Sequence, residues 1–181
     1  MRLASRTPTV TADPVTLTAL ADHLRVEEAE AASAMAYVAA AAMELEHYAA
    51  LALLAQTIVA EASAEEAATL SLPLPIGPLL SAPTVELINA DGSTTEIATA
   101  TTTAGLHPVV TLADDPGGPV RVTYSAGYGE DAAAIPADLA HAILDHALRL
   151  YDRRGDVDRF AGLAPSAARI CARYRRVGIG A

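Results

Sequence analysis

The sequence predicts an α+β fold, a small helical bundle with an inserted antiparallel β subdomain, and three observations carry that reading. Apolar residues recur at helical spacing towards both ends of the chain, they alternate with polar residues at period two through the middle, and turn sequences separate the alternating stretches. At 181 residues the chain suits one domain with room for a real core. The expected organisation is a flexible N-terminus over 1–13, N-terminal helices over 14–50, a β subdomain over 51–125, and C-terminal helices with an arginine-rich tail over 126–181.

Taken in order, Asp13-Pro14 leads to Thr16, a residue type that caps helix N-termini through its hydroxyl, and a short helix is expected through His23 and Leu24. A longer helix follows from Glu27, whose acidic first turn (Glu27, Glu28, Glu30) suits the positive end of the helix dipole. Ala32, Met35, Ala36, Ala39, Ala42, Met43 and Leu45 extend its apolar face to about Tyr48, and the small side chains permit close helix contact. Segments Leu53–Ala60, Thr84–Asn89, Thr94–Thr99, Val109–Leu112 and Val120–Ser125 carry β-branched residues and alternation and are expected as strands. Asn89-Ala90-Asp91-Gly92-Ser93 reads as a hairpin turn and Asp114–Pro119 as another loop or turn. Pro73, Pro75, Pro78 and Pro83 exclude a central strand and leave an extended crossing segment or a sheet edge.

The stretch Val120–Gly155 is the most informative. Val120, Val122 and Tyr124 alternate with Arg121, Thr123 and Ser125, then Gly127 and Gly129 allow a sharp turn around Tyr128. Pro136 and Asp138 suit a first helical turn, and Leu139, Ala140, Ile143, Leu144, Ala147, Leu148 and Tyr151 form one apolar stripe opposite a polar face. Arg149, Arg153 and Arg154 fill the last turn, and Gly155 supplies a left-handed cap. A last helix is expected over Pro165–Arg175.

Composition narrows the function classes. More than half the residues are apolar, yet there is no Trp and a single Phe, so the core is expected to pack helix on helix. That apolar excess in a short chain also suggests oligomerisation, because a partner copy would cover surface that a monomer leaves exposed. One cysteine, Cys171, excludes an internal disulfide. MRLASRTPTV lacks the apolar run of a secretory signal, and the uncharged stretches Ala31–Met43 and His47–Ala60 are too short to span a bilayer, so a soluble chain is expected. The net charge of −10 argues against general nucleic-acid affinity, but it is uneven: residues 1–148 carry 4 Arg against 19 acidic residues, and residues 149–181 carry 8 Arg against 3 Asp. Arg169, Arg173, Arg175 and Arg176, with Tyr174 among them, form a basic tail. Such a tail would dock on an acidic surface or on phosphates; a solvated helix face with a frayed end accounts for the same residues.

No catalytic, cofactor-binding or metal site is expected. Asp138, His141 and Asp145 share a helix face and would suit a divalent ion, but a face stitched by weak ion pairs explains the same spacing. His23, His47, His107 and His146 have no motif around them, and no HExxH is present. A chain without lysine has no P-loop, and Asp91, Asp114 and Asp115 belong to turns, where Asp bonds its own backbone.

The ordered set PVTLTALADHLRV, QTIV at Gln56–Val59, LPLPIGPL at Leu72–Leu79, VELINADGSTTEI, and VRVTYSAGYGED followed by IPADLAHAILDHALRLYDRRG resembles the head–tail connector (head-completion adaptor) proteins of long-tailed double-stranded DNA phages and of gene transfer agents. The resemblance runs from about Pro14 to Arg176. It departs at Ile58, where an aromatic residue is common in the family, and at Ala49-Ala50 after Tyr48, where an aromatic residue followed by Gly is common. The resemblance implies a non-enzymatic structural protein: a homo-oligomeric ring of twelve copies under the portal protein, offering a platform to a stopper or tail-completion protein. Double-stranded DNA would pass through that ring without specific binding. It also implies a location at the head–tail interface of the particle, with assembly in the bacterial cytoplasm, and a portal-docking role for Arg169, Arg173, Tyr174, Arg175 and Arg176. Removal of the chain from Pro165 onward is then expected to leave a folded protein that no longer joins portal to tail. The other reading is a small DNA- or partner-binding regulator working through the same tail, which would call for a net basic domain.

Overall fold

The computed structural model describes residues 1–97, 100–153 and 162–176, and it resolves into two compact units, one β-rich and one helical. The β unit comprises Met1–Thr11 and Ala55–Tyr128. Its strands are β1 (Arg2–Pro8), β2 (Gln56–Ala62), β3 (Ser71–Pro73), β4 (Thr84–Ile88), β5 (Thr94–Glu96), β6 (Ala100–Thr103), β7 (Val109–Leu112) and β8 (Val120–Ala126). One antiparallel sheet has the order β1-β2-β8-β4-β5 and a second the order β3-β7-β6.

Register explains the centre of the first sheet. β2 and β8 both alternate buried and part-exposed positions, and their pairing sets Ile58 opposite Tyr124, Ala60 opposite Val122 and Ala62 opposite Val120, so all the buried side chains share one face. β4 adds Val85 opposite Val122. The Tyr124 hydroxyl reaches into the proline-rich segment, donating to the Ile76 carbonyl at 2.9 Å and accepting from the Ile76 N–H at 3.2 Å. A large apolar residue thus enters the core with its polar tip satisfied, and it fastens a segment that prolines keep out of the ladder. On the opposite face Glu61 stands across from Arg121, accepting from its guanidinium at 3.0 Å, and takes a second bond from Arg2 at 3.1 Å.

Two expectations for this unit change. The expected flexible N-terminus over 1–13 instead contains β1, an edge strand of the first sheet. β1 is almost wholly exposed, so it has no apolar alternation to read; main-chain bonds to β2 hold it, continued by Thr9 onto the Ala55 carbonyl at 3.1 Å. The first expected strand also begins later, at Gln56, because Leu53 and Leu54 belong to the helical unit. The proline-rich segment does supply an edge, β3, where Pro73 needs no outward donor. A short helix the periodicity does not reveal, Ala64–Ala67, is closed by a capping box in which Ser63 and Glu66 exchange bonds at 3.2 and 2.9 Å.

The helical unit comprises Ala12–Leu54 and the described part of Gly129–Ala181. In chain order α1 is Leu17–Leu24, α2 Glu28–Ala31, α3 Met35–Ala49, α4 the Ala64–Ala67 turn of the β unit, α5 Ala137–Asp152 and α6 Pro165–Cys171. Thr16 caps α1, its hydroxyl accepting from the Ala19 N–H at 3.2 Å. The single long helix expected from Glu27 to Tyr48 is broken by a 3-10 turn at Ala32–Ala34. α3 ends at Ala49, with Ala50 in the left-handed region at φ 53°, and Glu46 secures the exit: its carboxylate accepts from the Leu53 N–H at 2.8 Å. α5 packs on α3 and on α6. Many of their buried residues are small or β-branched: Val38, Ala41 and Ala42 on α3, Ala142, Ile143 and Ala147 on α5, and Ala167 and Ile170 on α6. Alanine at these positions lets the helix axes approach, which is how the chain builds a core without large aromatics.

Gly127 and Gly129 serve different needs. Gly127 has φ 137°, the turn conformation expected of it, whereas a Cβ on Gly129 would lie 2.4 Å from the Ala134 Cβ. The cap expected of Gly155 lies outside the described residues. Among the described residues no helix is long and apolar enough to cross a membrane.

Candidate functional site

The basic tail starts on α6, which Pro165 opens at a position that needs no N–H. The helix expected to reach Arg175 stops at Cys171; the chain then winds through turn bonds from Arg173 to the Ile170 carbonyl at 3.1 Å and from Tyr174 to the Cys171 carbonyl at 3.0 Å. Arg169, Arg173, Arg175 and Arg176 are all exposed, while Tyr174 is half-buried.

The tail is anchored to the body of its own unit. The Tyr174 hydroxyl donates to Asp138 Oδ1 at 2.7 Å, Arg173 lies 3.7 Å from Asp138 Oδ2, and the Arg175 guanidinium stacks on the Tyr48 ring at 4.9 Å. Asp138 therefore does more than sit at the positive end of α5: it holds the C-terminal segment against it. Of the five residues expected to dock, Tyr174 is an anchor, and the four arginines are exposed, Arg173 and Arg175 while touching Asp138 and Tyr48.

α6 itself is core. Ala167 and Cys171 are fully buried and Ile170 nearly so, which overturns the expectation that the chain from Pro165 onward is dispensable for folding. Burial, with Asp138 adding to it, pushes the Cys171 thiol up to about 11, so it is a small core side chain.

His146, which no motif marked, organises this region. It is 1% exposed; its Nε2 lies 2.8 Å from Glu44 Oε2 on α3, and its Nδ1 accepts from the Ala164 N–H at 3.2 Å. Since the Nδ1 lone pair faces an N–H, the proton resides on Nε2 and is donated to Glu44. One imidazole thereby joins α3, α5 and the N-cap of α6. Arg149 adds a bond to the Leu163 carbonyl at 3.0 Å, so this arginine fastens the segment before α6. A signal for His146 was present in the sequence, since it follows Ile143 by three residues on the apolar stripe of α5.

The other acidic candidates resolve into local roles. Asp91 Oδ1 accepts from the Ser93 hydroxyl and N–H at 2.6 and 2.9 Å, bonds that hold its carboxyl below the usual range, and Asp115 Oδ1 accepts from the Gly117 N–H at 2.9 Å. The expected set Asp138, His141 and Asp145 separates. Asp138 turns to the tail, while His141 and Asp145 meet His23 of α1.

No family model matches the chain, and no curated protein matches it. Solved structures do. A chain of the virion of a native gene transfer agent particle superposes with a TM-score of 0.79 at 26% identity, covering 99% of both chains. A chain from the neck of an empty gene transfer agent particle, computed with C6 symmetry, gives 0.76 at 25% identity with the same coverage. These neighbours support a head–tail connector-type protein of the gene transfer agent kind. A further neck chain, from a native particle computed with C12 symmetry, shares the fold at a TM-score of 0.74 and 24% identity. The connector is a structural component of the particle, placed at the head–tail interface.

Proposed function

We propose that this connector forms a ring of about 12 copies in the particle neck, joins the portal to the stopper or tail-completion protein, and continues the channel through which double-stranded DNA passes. The observation that carries the reading is the end-to-end match, 99% of both chains, to neck chains from particles computed with C6 and C12 symmetry. The whole chain shares that architecture, so the role rests on no single motif. The role is mechanical rather than enzymatic.

Physical features of the chain support it. In the first sheet, among the described residues, β1 and β5 each have a neighbour on one side only, and their outward main-chain groups are available to a second copy. The exposed large hydrophobics among the described residues are only Leu3, Met43, Tyr48 and Leu80. The apolar excess is thus mostly consumed in the chain's own core, and a ring interface would rest on strand edges and polar contacts rather than on one greasy patch. A net charge of −10 suits a channel wall, since each phosphate paired to a cation would strengthen binding and slow passage. The exposed arginines Arg169, Arg173, Arg175 and Arg176 supply the portal-docking element, with Tyr174 holding them in place.

The deciding experiment is native mass spectrometry of the protein alone and mixed with its portal. A stoichiometric ring on the portal is expected. A monomer that ignores the portal would overturn the reading and direct attention to a nucleic-acid or small-partner role for the tail.

A further inference from the structure

α1 ends in His23, and α5 carries His141 and Asp145 one helical turn apart. The fold brings the three together although 118 residues separate His23 from His141 in the chain, as their numbers give. His23 Nε2 lies 3.4 Å from Asp145 Oδ1, His141 Nε2 lies 3.7 Å from Asp145 Oδ2, and the imidazoles meet edge to face at 5.8 Å between centroids. One ligand atom from each residue lies within 4.8 Å of the others.

We propose that His23, His141 and Asp145 form a binding site for a divalent transition-metal ion of the zinc, cobalt or nickel class, which clips α1 to α5. Metal–ligand bonds of about 2.0–2.1 Å in a tetrahedral site place the ligand atoms roughly 3.3 Å apart, so the two histidine–aspartate edges are already close to the required span. The two contacts end on different oxygens of Asp145, so the three ligand atoms have to close in from within 4.8 Å, and the His141 side chain, 58% exposed, has the room to turn inward. Asp145 and His23 are about one-quarter exposed or less, which keeps them in a defined position while leaving the open coordination sites to water. Two imidazoles with one carboxylate favour these ions over magnesium or calcium, whose preferred ligands are all oxygen. A plain ion-pair face would need only one histidine beside Asp145; here two imidazoles from different helices converge on the two oxygens of one carboxylate. All three residues lie within the helical unit.

The test is titration of the full-length protein with cobalt(II) and with zinc(II), followed by calorimetry and by the ligand-field absorption of bound cobalt. Saturable binding of one ion per chain is expected, with affinity weakened by about tenfold or more in His141→Ala and in Asp145→Asn, and unchanged in His47→Ala. Both site substitutions touch exposed or partly exposed side chains, and circular dichroism confirms that each variant is folded. Zinc is also expected to raise the unfolding midpoint of the unaltered protein and not that of His141→Ala. Absence of saturable binding overturns the site, as does binding that both site variants retain at full affinity.

Discussion

At the scale of single residues, two buried side chains carry more of the helical unit than their neighbours suggest. His146 is the shared partner of Glu44 and the Ala164 N–H. His146→Ala leaves a cavity and strips a buried main-chain donor of its acceptor, and we expect a loss of about 2–4 kcal/mol in chemical denaturation. An unchanged midpoint would show that water replaces the ring without cost. Cys171 makes the opposite case, a potentially reactive group made inert: with its thiol near 11, the thiolate fraction at pH 7 is on the order of 10⁻⁴. The native protein should resist iodoacetamide and react once unfolded in guanidinium, and rapid alkylation of the native chain would contradict the burial seen here. Neither role was legible from sequence alone. The stripe of α5 put His146 on the apolar side, but Glu44 and Ala164 lie 102 and 18 residues away and only packing introduces them.

At the scale of elements, helix ends and strand pairs supply the testable energetics. Ala50 occupies the left-handed position after α3, a conformation that favours glycine. A side chain there costs roughly 1–2 kcal/mol, whereas glycine adds only about 0.4–1 kcal/mol of unfolded-state entropy. Relief wins, so Ala50→Gly should stabilise the protein by up to about 1 kcal/mol in thermal unfolding; destabilisation would mean that the Ala50 methyl makes packing contacts that outweigh the strain. In the β unit, Arg121 first and Arg2 second hold the Glu61 carboxyl below its ordinary value of 4.5. A depressed folded-state value means that the stabilisation is fully present above pH 4.5 and is lost as the pH falls through the lower, folded value. Glu61→Gln should therefore cost about 0.2–1 kcal/mol at neutral pH, and the difference should vanish in acid; a difference that is the same at every pH would assign the loss to packing. Elements with their own periodicity or caps, such as α1, α5, β2 and β8, were readable within a few residues. β1 was not, because an exposed edge strand carries no hydrophobic pattern, nor was α4, whose four residues are too few to show a helical period.

At the scale of the whole molecule, the docking question becomes one of charge rather than of chain length. Deleting residues from Pro165 would remove Ala167, Ile170 and Cys171 from the core, so a truncated protein that fails to assemble would say nothing about docking. Replacing Arg169, Arg173, Arg175 and Arg176 together by glutamine removes the charge from exposed side chains, giving up the Arg173–Asp138 and Arg175–Tyr48 contacts while the Tyr174–Asp138 anchor stays. We expect that variant to keep its circular dichroism spectrum, to lose association with the portal in sedimentation, and to leave the ring's own copy number unchanged if the portal is bypassed. Portal association at unaltered strength would remove the arginines from the docking role.

What the sequence determined by itself is everything set by local periodicity and by composition: the α+β class, the helices and strands of regular pattern, the hairpin at Asn89–Ser93, and the split between an acidic body and a basic tail. These depend on neighbours within a few positions, where the 3.6- and 2-residue repeats and the turn chemistry act. The ordered motifs also carried the resemblance to connectors. Only the tertiary structure decided that β1 joins the sheet of β2, that Asp138 leaves His141 for Tyr174, and that His23 arrives beside Asp145. Each of those contacts closes a loop of tens of residues to more than a hundred, and its reward is main-chain pairing or side-chain geometry that no local pattern encodes.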